Sequence, residues 1–291
     1  MKYAWTSQHR DSFPVAVLCD VLLVSISGDY GSLGRRPRLR ANRHQRIRQA
    51  VHAESHGTYG SHKVIRILRQ RDELESACRN TVATTMRELG LTSCVRKAFQ
   101  PTTTQADPTK QPAANKLAQD FTADAPNRKW VTDITYLPTA AGWVYLAVVV
   151  DLFSRKVVGW SLSTSLATKL VCEALRRAIA SRRPQGNQLL HHSDRGCQDT
   201  SDAYQQTLRR LGIECSMSRT GCCYDNAAME RFFGSLKHEW TNQRTYNNLE
   251  DVRRSVFLYI ESFDNPMRLH QTLGYLSLDQ YEAEHTPAHA V

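Results

Sequence analysis

Three stretches between Trp130 and Ser163 constrain this chain most: WVTDITYLPT (130–139), WVYLAVVVDLFSR (143–155) and KVVGWSLS (156–163). Each is rich in β-branched and aromatic residues, and little separates them beyond a turn at Ala141-Gly142. Strands joined by so little chain pair antiparallel, because a parallel crossover needs a dozen residues or more. VYLAVVV (144–150) is strand-sized and far short of a membrane span. The pattern then alternates: a helix in TKLVCEALRRAIAS, a short strand in LLHHSD, a helix in SDAYQQTLRRLG, a strand in IECSMS, and a helix in AAMERFFGSLKHEW. The order β-β-β-α-β-α-β-α predicts an α/β domain, a mixed five-stranded sheet flanked by helices.

Three carboxylates stand out against this pattern. Asp133 sits inside an apolar, Thr-rich strand, where an unpartnered acid is costly. Asp194 ends the short strand LLHHSD, and α/β proteins place their chemistry at strand ends. Glu230 follows Asp225-Asn226, a pair suited to capping the helix N-terminus. Asn226, Glu230 and Lys237 are spaced four and seven apart on one helical face, while Phe232, Phe233, Leu236 and Trp240 can pack on the sheet. Oxygen ligands of this kind suit two hard divalent cations, and the expected chemistry is metal-dependent phosphodiester exchange on DNA, with Lys237 on a DNA phosphate. His191 and His192 are adjacent on a strand and point to opposite faces, which argues against a shared ion. Asp151, the rival third acid, reads as a structural partner of Ser154 or Arg155. No serine or cysteine nucleophile signature is visible.

The front of the chain is different in kind. Net charge is +10, and residues 1–110 hold 18 Lys and Arg against 9 Asp and Glu, whereas the remainder is nearly balanced. A basic front on a neutral back suits a phosphate-contacting module joined to a domain with another task. Residues 13–30 predict a short helix, a turn and a second helix that Ser25 or Ser27 can cap. GSLGRRPRLRANRHQRIR (31–48) reads as a linker or an arm along the phosphate backbone. Ile47, Val51, Val64, Ile65 and Leu68 are at helical spacing, and RNTVATTMREL (79–89) ends at Gly90, a fitting C-cap. This trihelical pattern is helix-turn-helix-like, with Arg79, Asn80, Thr81 and Thr84 or Thr85 facing a DNA groove. The expected organisation is a helical and basic arm region (1–43), a helix-turn-helix-like domain (44–92), a polar linker (93–120), a catalytic core with a helical extension (121–285) and a tail (286–291).

The eight cysteines include no C-x-x-C pair, so they predict reduced, mostly core thiols rather than a zinc site. The N-terminus shows no apolar export segment, and the expected compartment is the cytoplasm.

The motifs WVTDITYLPT, DLFSRKVVGW, HHSDRGCQ, SRTGCCYDNAAMERFFGSLKHEW and FDNPMRLHQTLGYLSLDQYE, with MKYAW, FPVAVLCDVL and HGTYGSHKVIRIL at the front, make the sequence resemble one family over nearly its whole length. It is similar to the second-frame (OrfB) transposases of insertion sequence family three, whose core is similar to retroviral integrase. The resemblance implies a ribonuclease H-like fold and a DDE transposase. Its metal-binding triad would be Asp133, Asp194 and Glu230, with Mg²⁺ as the usual ion and Mn²⁺ as a substitute. It also implies Lys237 on the transposon end and Asn226, Arg268 and His270 as further DNA contacts. The family reaction is 3′-end nicking followed by strand transfer, carried out by an oligomer on DNA, commonly with a first-frame (OrfA) partner or fusion. Three family features are altered: an aromatic before the tail Asn is here Asp264, a Ser-Pro is here Ser277-Leu278, and the first motif lacks the usual second aromatic in SGDY. The rival readings are an integrase-like nuclease that cuts without joining and a non-catalytic DNA-binding regulator.

Overall fold

The computed structural model describes residues 2–33, 39–71, 78–94, 113–194, 201–219 and 223–286. The chain divides into two compact units, Met1–His56 with Val64–Thr92, and Gly57–Lys63 with Ser93–Val291.

The first unit is helical. Helices α1 (Lys2–Gln8), α2 (Val15–Val21) and α3 (Ile26–Leu33) form its start. Ser25 caps α3, its Oγ accepting from the Gly28 N–H at 3.0 Å. Helix α4 (Leu39–Gln49) runs into a π turn at Ala50–Glu54, followed by α5 (Ser61–Gln70) and α6 (Arg79–Glu88). Helix thus begins within the basic run that reads as an arm, earlier than the expected domain start at residue 44. Ile47, Val51, Val64, Leu68 and Val82 form the unit's core, as their spacing predicts. Gly90 has φ +66°; its N–H donates to Arg87 O, and Leu91 N–H donates to Met86 O at 2.8 Å, closing α6 as a Schellman motif. No single helix among the described residues is long and apolar enough to cross a membrane; α2 and α3 together reach that length and composition but are bent by 113°.

The second unit is built on one five-stranded sheet of order β3-β2-β1-β4-β5. Its strands are β1 (Lys129–Thr139), β2 (Gly142–Asp151), β3 (Val157–Ser163), β4 (Leu190–Ser193) and β5 (Glu214–Met217). The first three form the antiparallel meander, and β4 and β5 add in parallel beyond β1. This is the ribonuclease H-like arrangement. Helices α7 (Thr168–Arg182) and α8 (Asp202–Arg210) pack on one face, burying Trp130, Val149, Leu175, Tyr204 and Leu208. A Cβ at Gly159 on β3 would lie 2.4 Å from Ala174 O and 2.7 Å from Ala178 N, so glycine there allows the close approach of α7.

Helix α9 (Ala227–Glu239) meets β1, and α10 (Leu249–Tyr259) meets β3. Phe233, Leu236 and Trp240 are buried, and Trp240 stacks on Phe263 with ring centroids 5.8 Å apart. Asn265 closes the β3 edge: its amide nitrogen donates to Val157 O at 3.0 Å, and its oxygen accepts from Val157 N–H at 3.1 Å. Ser277 and Gln280 form a capping box on α11 (Leu278–His285). Leu278 takes the first helical position, where proline is favoured for its pre-set φ and because the N–H is dispensable, and the capping box is present without it.

Residues 113–120, expected as linker, belong instead to the second unit by packing, with Leu117 only 2% exposed; 95–112 lie outside the described residues. Of the alternatives Thr84 and Thr85, Thr84 is exposed and Thr85 is buried. Of the free cysteines among the described residues, Cys19 is buried and Cys172 and Cys215 pack against the core, whereas Cys78 is exposed.

Candidate active site

The parallel pairing of β1 with β4 sets Thr132 opposite Ser193. The next residue on each strand is a carboxylate, Asp133 and Asp194, so both emerge side by side where β4 ends, on strands about 4.8 Å apart. Asp194 is held by the Ser218 hydroxyl, which donates to its Oδ1 at 2.9 Å. Burial pushes the Asp194 carboxyl up from its ordinary range, opposed by the hydrogen bonds of Ser218 and Asn226. Asp133 is half-buried, and its Oδ1 accepts from the Ile134 N–H at 2.7 Å.

Helix α9 approaches this pair at both ends. Asn226 stands at its N-cap position without making a side-chain cap bond, contrary to the capping role its sequence suggests. Its amide donates instead to Thr132 O, 3.3 Å away, which ties the start of α9 to the strand position before Asp133. Further along, the Lys237 ammonium lies 4.8 Å from the Tyr136 ring centroid. Burial lowers the Lys237 pKa, and the nearby Asp133 charge works against that shift. Glu230 lies between these two anchors, one turn after Asn226, and is exposed. Among the described residues, no three His, Cys, Asp or Glu side chains are grouped closely enough to hold a metal ion. The structure thus brings Asp133 and Asp194 together, with Asn226 and Lys237 beside them, and leaves Glu230 on the solvent side of α9.

The neighbouring histidines separate as strand geometry requires. His191 meets the Tyr204 hydroxyl at 3.2 Å, while His192 sits between Ser216 (2.8 Å) and Ser218 (3.1 Å). Burial pushes both imidazoles down, to about 3 and about 4, so both are neutral at pH 7. Asp151 is structural, but its partners are not Ser154 or Arg155: it accepts from the N–H groups of Asn127 (2.7 Å) and Phe153 (3.0 Å) and from the Trp130 indole (3.3 Å).

Arg268, expected as a DNA contact, is buried, and His270 is half-buried. Arg268 is 8% exposed, and its guanidinium grips both oxygens of Glu239 at 2.6 and 2.7 Å. His270 stands 3.6 Å from the buried Asp264. The tail motif therefore builds an internal cluster, in which Asp264 stands in place of the family's aromatic with the Arg268 guanidinium 3.6 Å away, beside the His270 imidazole, whose pKa burial pushes down. In the first unit, Arg79 and Asn80 are exposed at the start of α6, whereas Thr81 is half-buried with its hydroxyl 3.3 Å from Cys78 Sγ. The sequence pattern singled out neither Ser216 nor Ser218 and gave Asp225 a capping role only; Ser216 on β5 and Ser218, just past its end, are two apart, a period-two signal that marks one face.

Residues 123–223 match the family model described as integrase core domain, residues 211–277 match a second integrase core domain model, and residues 39–99 match an HTH-like domain. Over 97% of its length the chain is 40% identical to the transposase InsF for insertion sequence IS3A of Escherichia coli (strain K12), covering 98% of that protein. The chain belongs to the IS3 family of transposases. The relationship extends to the transposase for insertion sequence element IS904 of Lactococcus lactis subsp. lactis (strain IL1403), at 37% identity over 80% of this chain and 91% of that one. Among solved structures, the HTLV-2 integrase catalytic core domain in complex with magnesium aligns with 54% of this chain and 97% of that chain, at 18% identity and a TM-score of 0.42. This IS3-family transposase is accordingly an enzyme of the DDE polynucleotidyl transferase class. The matched core segments carry Asp133, Asp194 and Glu230, and the HTH-like segment carries Arg79, Asn80 and Thr81.

Proposed function

We propose that this transposase nicks the 3′ ends of an insertion sequence and joins them to target DNA, with Asp133, Asp194 and Glu230 as the acids of the site. The observation that carries the reading is the placement of Asp133 and Asp194 on adjacent strands at matched register, with the start of α9 tied to Thr132, the position before Asp133. Two buried or half-buried carboxylates offering only oxygen fit hard divalent cations. Mg²⁺, or Mn²⁺ in its place, would be held by Asp133 and Asp194, and the family pattern adds Glu230 and a second ion. When bound, such ions activate the attacking hydroxyl and stabilise the leaving oxygen.

The chain's own residues do the rest. Ser218 and Asn226 hold Asp194 in one orientation. Lys237, near Asp133 and partly desolvated, offers a cation to a phosphate of the DNA end. The basic front binds the phosphate backbone, and Arg79, Asn80 and Thr81 at the start of α6 read base edges. The working form is an oligomer on DNA with an OrfA partner or fusion, acting in the cytoplasm where its DNA lies.

The test uses a duplex carrying the element's end with a labelled 3′-hydroxyl, an unlabelled target and Mg²⁺. Joined product is the expected result. Hydrolysis with no joined product would replace the transposase reading by that of a nuclease.

A further inference from the structure

Residues 113–119, where composition predicts the end of a linker, are bonded into the frame that carries the acids. Ala118 and Gln119 have φ of +49° and +63°, a left-handed pair that turns the chain, and Asn115 Oδ1 accepts the Ala118 N–H at 2.9 Å inside that turn. Besides the Lys116–Glu214 ion pair at 2.5 Å, two sets of bonds leave this segment. The backbone N–H groups of Lys116 and Leu117 both donate to Ser216 Oγ on β5, at 2.9 and 3.1 Å. The side-chain amides of Asn115 and Gln119 both donate to the buried Asp225 carboxylate, at 2.8 and 2.9 Å.

The first set determines a chain of protons. With two N–H groups on its oxygen, Ser216 has its own hydrogen left to donate to His192 Nδ1, 2.8 Å away. His192 then carries its proton on Nε2 and donates to Ser218 Oγ at 3.1 Å. Ser218 in turn donates to Asp194 Oδ1 at 2.9 Å. Each donor is assigned by the one before it, so the relay offers Asp194 a hydrogen and never a competing lone pair. The second set reaches the other side of the site. Asp225 also accepts from the Arg219 N–H at 2.8 Å and its guanidinium at 3.0 Å, and it immediately precedes Asn226 and α9, which bears Glu230.

We infer that residues 113–119 act as a strap that positions the site's acids, setting Asp194 through Ser216, His192 and Ser218 and setting the entry to α9 through Asp225. The inference rests on the reading of Asp194 and Glu230 as metal ligands. The strap residues and the relay are positioning residues: they act on the acids and touch no substrate. Groups behind metal-binding side chains typically change metal affinity by about 10- to 100-fold when lost.

The experiment uses the full chain, with Mn²⁺ binding measured without DNA by calorimetry and strand transfer titrated with Mg²⁺. Ser218→Ala and the double variant Asn115→Ala with Gln119→Ala are each expected to raise the Mn²⁺ Kd and the half-saturating Mg²⁺ about tenfold or more. Rates at saturating metal should stay within about threefold, and Ser218→Thr, which keeps the hydroxyl, should restore the metal dependence. Unchanged Mn²⁺ affinity in both folded variants would overturn the strap, as would a fall in maximal rate at unchanged affinity that Ser218→Thr does not rescue. If the double variant does not fold, Ser216→Ala, which removes the oxygen that receives the strap's two N–H groups, takes its place with the same expected rise and the same overturning result. The site reading fails separately, if Asp133→Asn and Asp194→Asn leave Mn²⁺ binding intact.

Discussion

At the residue scale, acids of similar appearance in the sequence have different fates. Asp133 and Asp194 meet at matched register, whereas Asp151, Asp225 and Asp264 are buried behind N–H donors or cations and act in the frame. Asp133→Asn, Asp194→Asn and Glu230→Gln should each lower strand transfer at least about a hundredfold while binding of the DNA end persists, the scale expected when one transition-state-stabilising group is lost. A gel-shift assay beside the joining assay separates the two quantities. Arg268 makes the opposite case. Its bidentate pair with Glu239 is internal, so Arg268→Ala should destabilise the protein by about 3–5 kcal/mol by stranding a carboxylate, measured by urea unfolding. The salt dependence of DNA binding by the folded fraction should not change, since no phosphate contact is removed.

At the element scale, the sheet does most of the positioning. The meander supplies β1 as the central strand, and parallel addition of β4 brings a second strand end beside the middle of the first. A one-residue slip of β4 would turn Asp194 to the opposite face, so register and activity are linked. The close packing of α7 on β3 depends on Gly159, where a methyl would meet backbone atoms that cannot yield. Gly159→Ala should cost about 1–3 kcal/mol, visible as a lower unfolding midpoint with unchanged metal dependence. Helix α9 is amphipathic in a functional sense: Phe233, Leu236 and Trp240 fasten it, and its other face carries Asn226, Glu230 and Lys237.

At the scale of the whole molecule, the second unit recruits chain from outside its continuous span. The Gly57–Lys63 segment packs with it, the Tyr59 hydroxyl accepting from Leu269 N–H at 2.8 Å and the Lys63 ammonium lying 4.7 Å from the Tyr59 ring centroid. Burial, reinforced by the Arg268 charge, lowers the Lys63 pKa to about 8. Between pH 8 and about 10.4 the unfolded chain therefore binds more protons at this position than the folded one, and stability rises with pH across that window. Tyr59, pushed up to about 12 by burial, works in the opposite direction only above about pH 10. Lys63→Met should flatten the rise between pH 8 and 10, tested by urea unfolding at both values; an unchanged slope would assign it to other groups.

Much of this was legible locally. The three strands, their short turns, the alternating helices and the helical stripes of the front all follow from periodicities of two and 3.6, which depend on neighbours in sequence. Gly90 and the acids at β1, β4 and α9 were visible for the same reason. Tertiary structure decided which charged groups face inward. Arg268 finds Glu239 29 residues away, and Gln119 finds Asp225 106 residues away. A polar residue's local pattern is the same whether its partner is water or a distant carboxylate, so residues 113–120 read as a linker and no local signal marked the Arg268–Glu239 pair. The sequence alone determined the elements and marked Asp133, Asp194 and Glu230 as candidates; only the fold determined which side chains bond to Asp194, because buried hydrogen bonds are satisfied across the fold rather than along the chain.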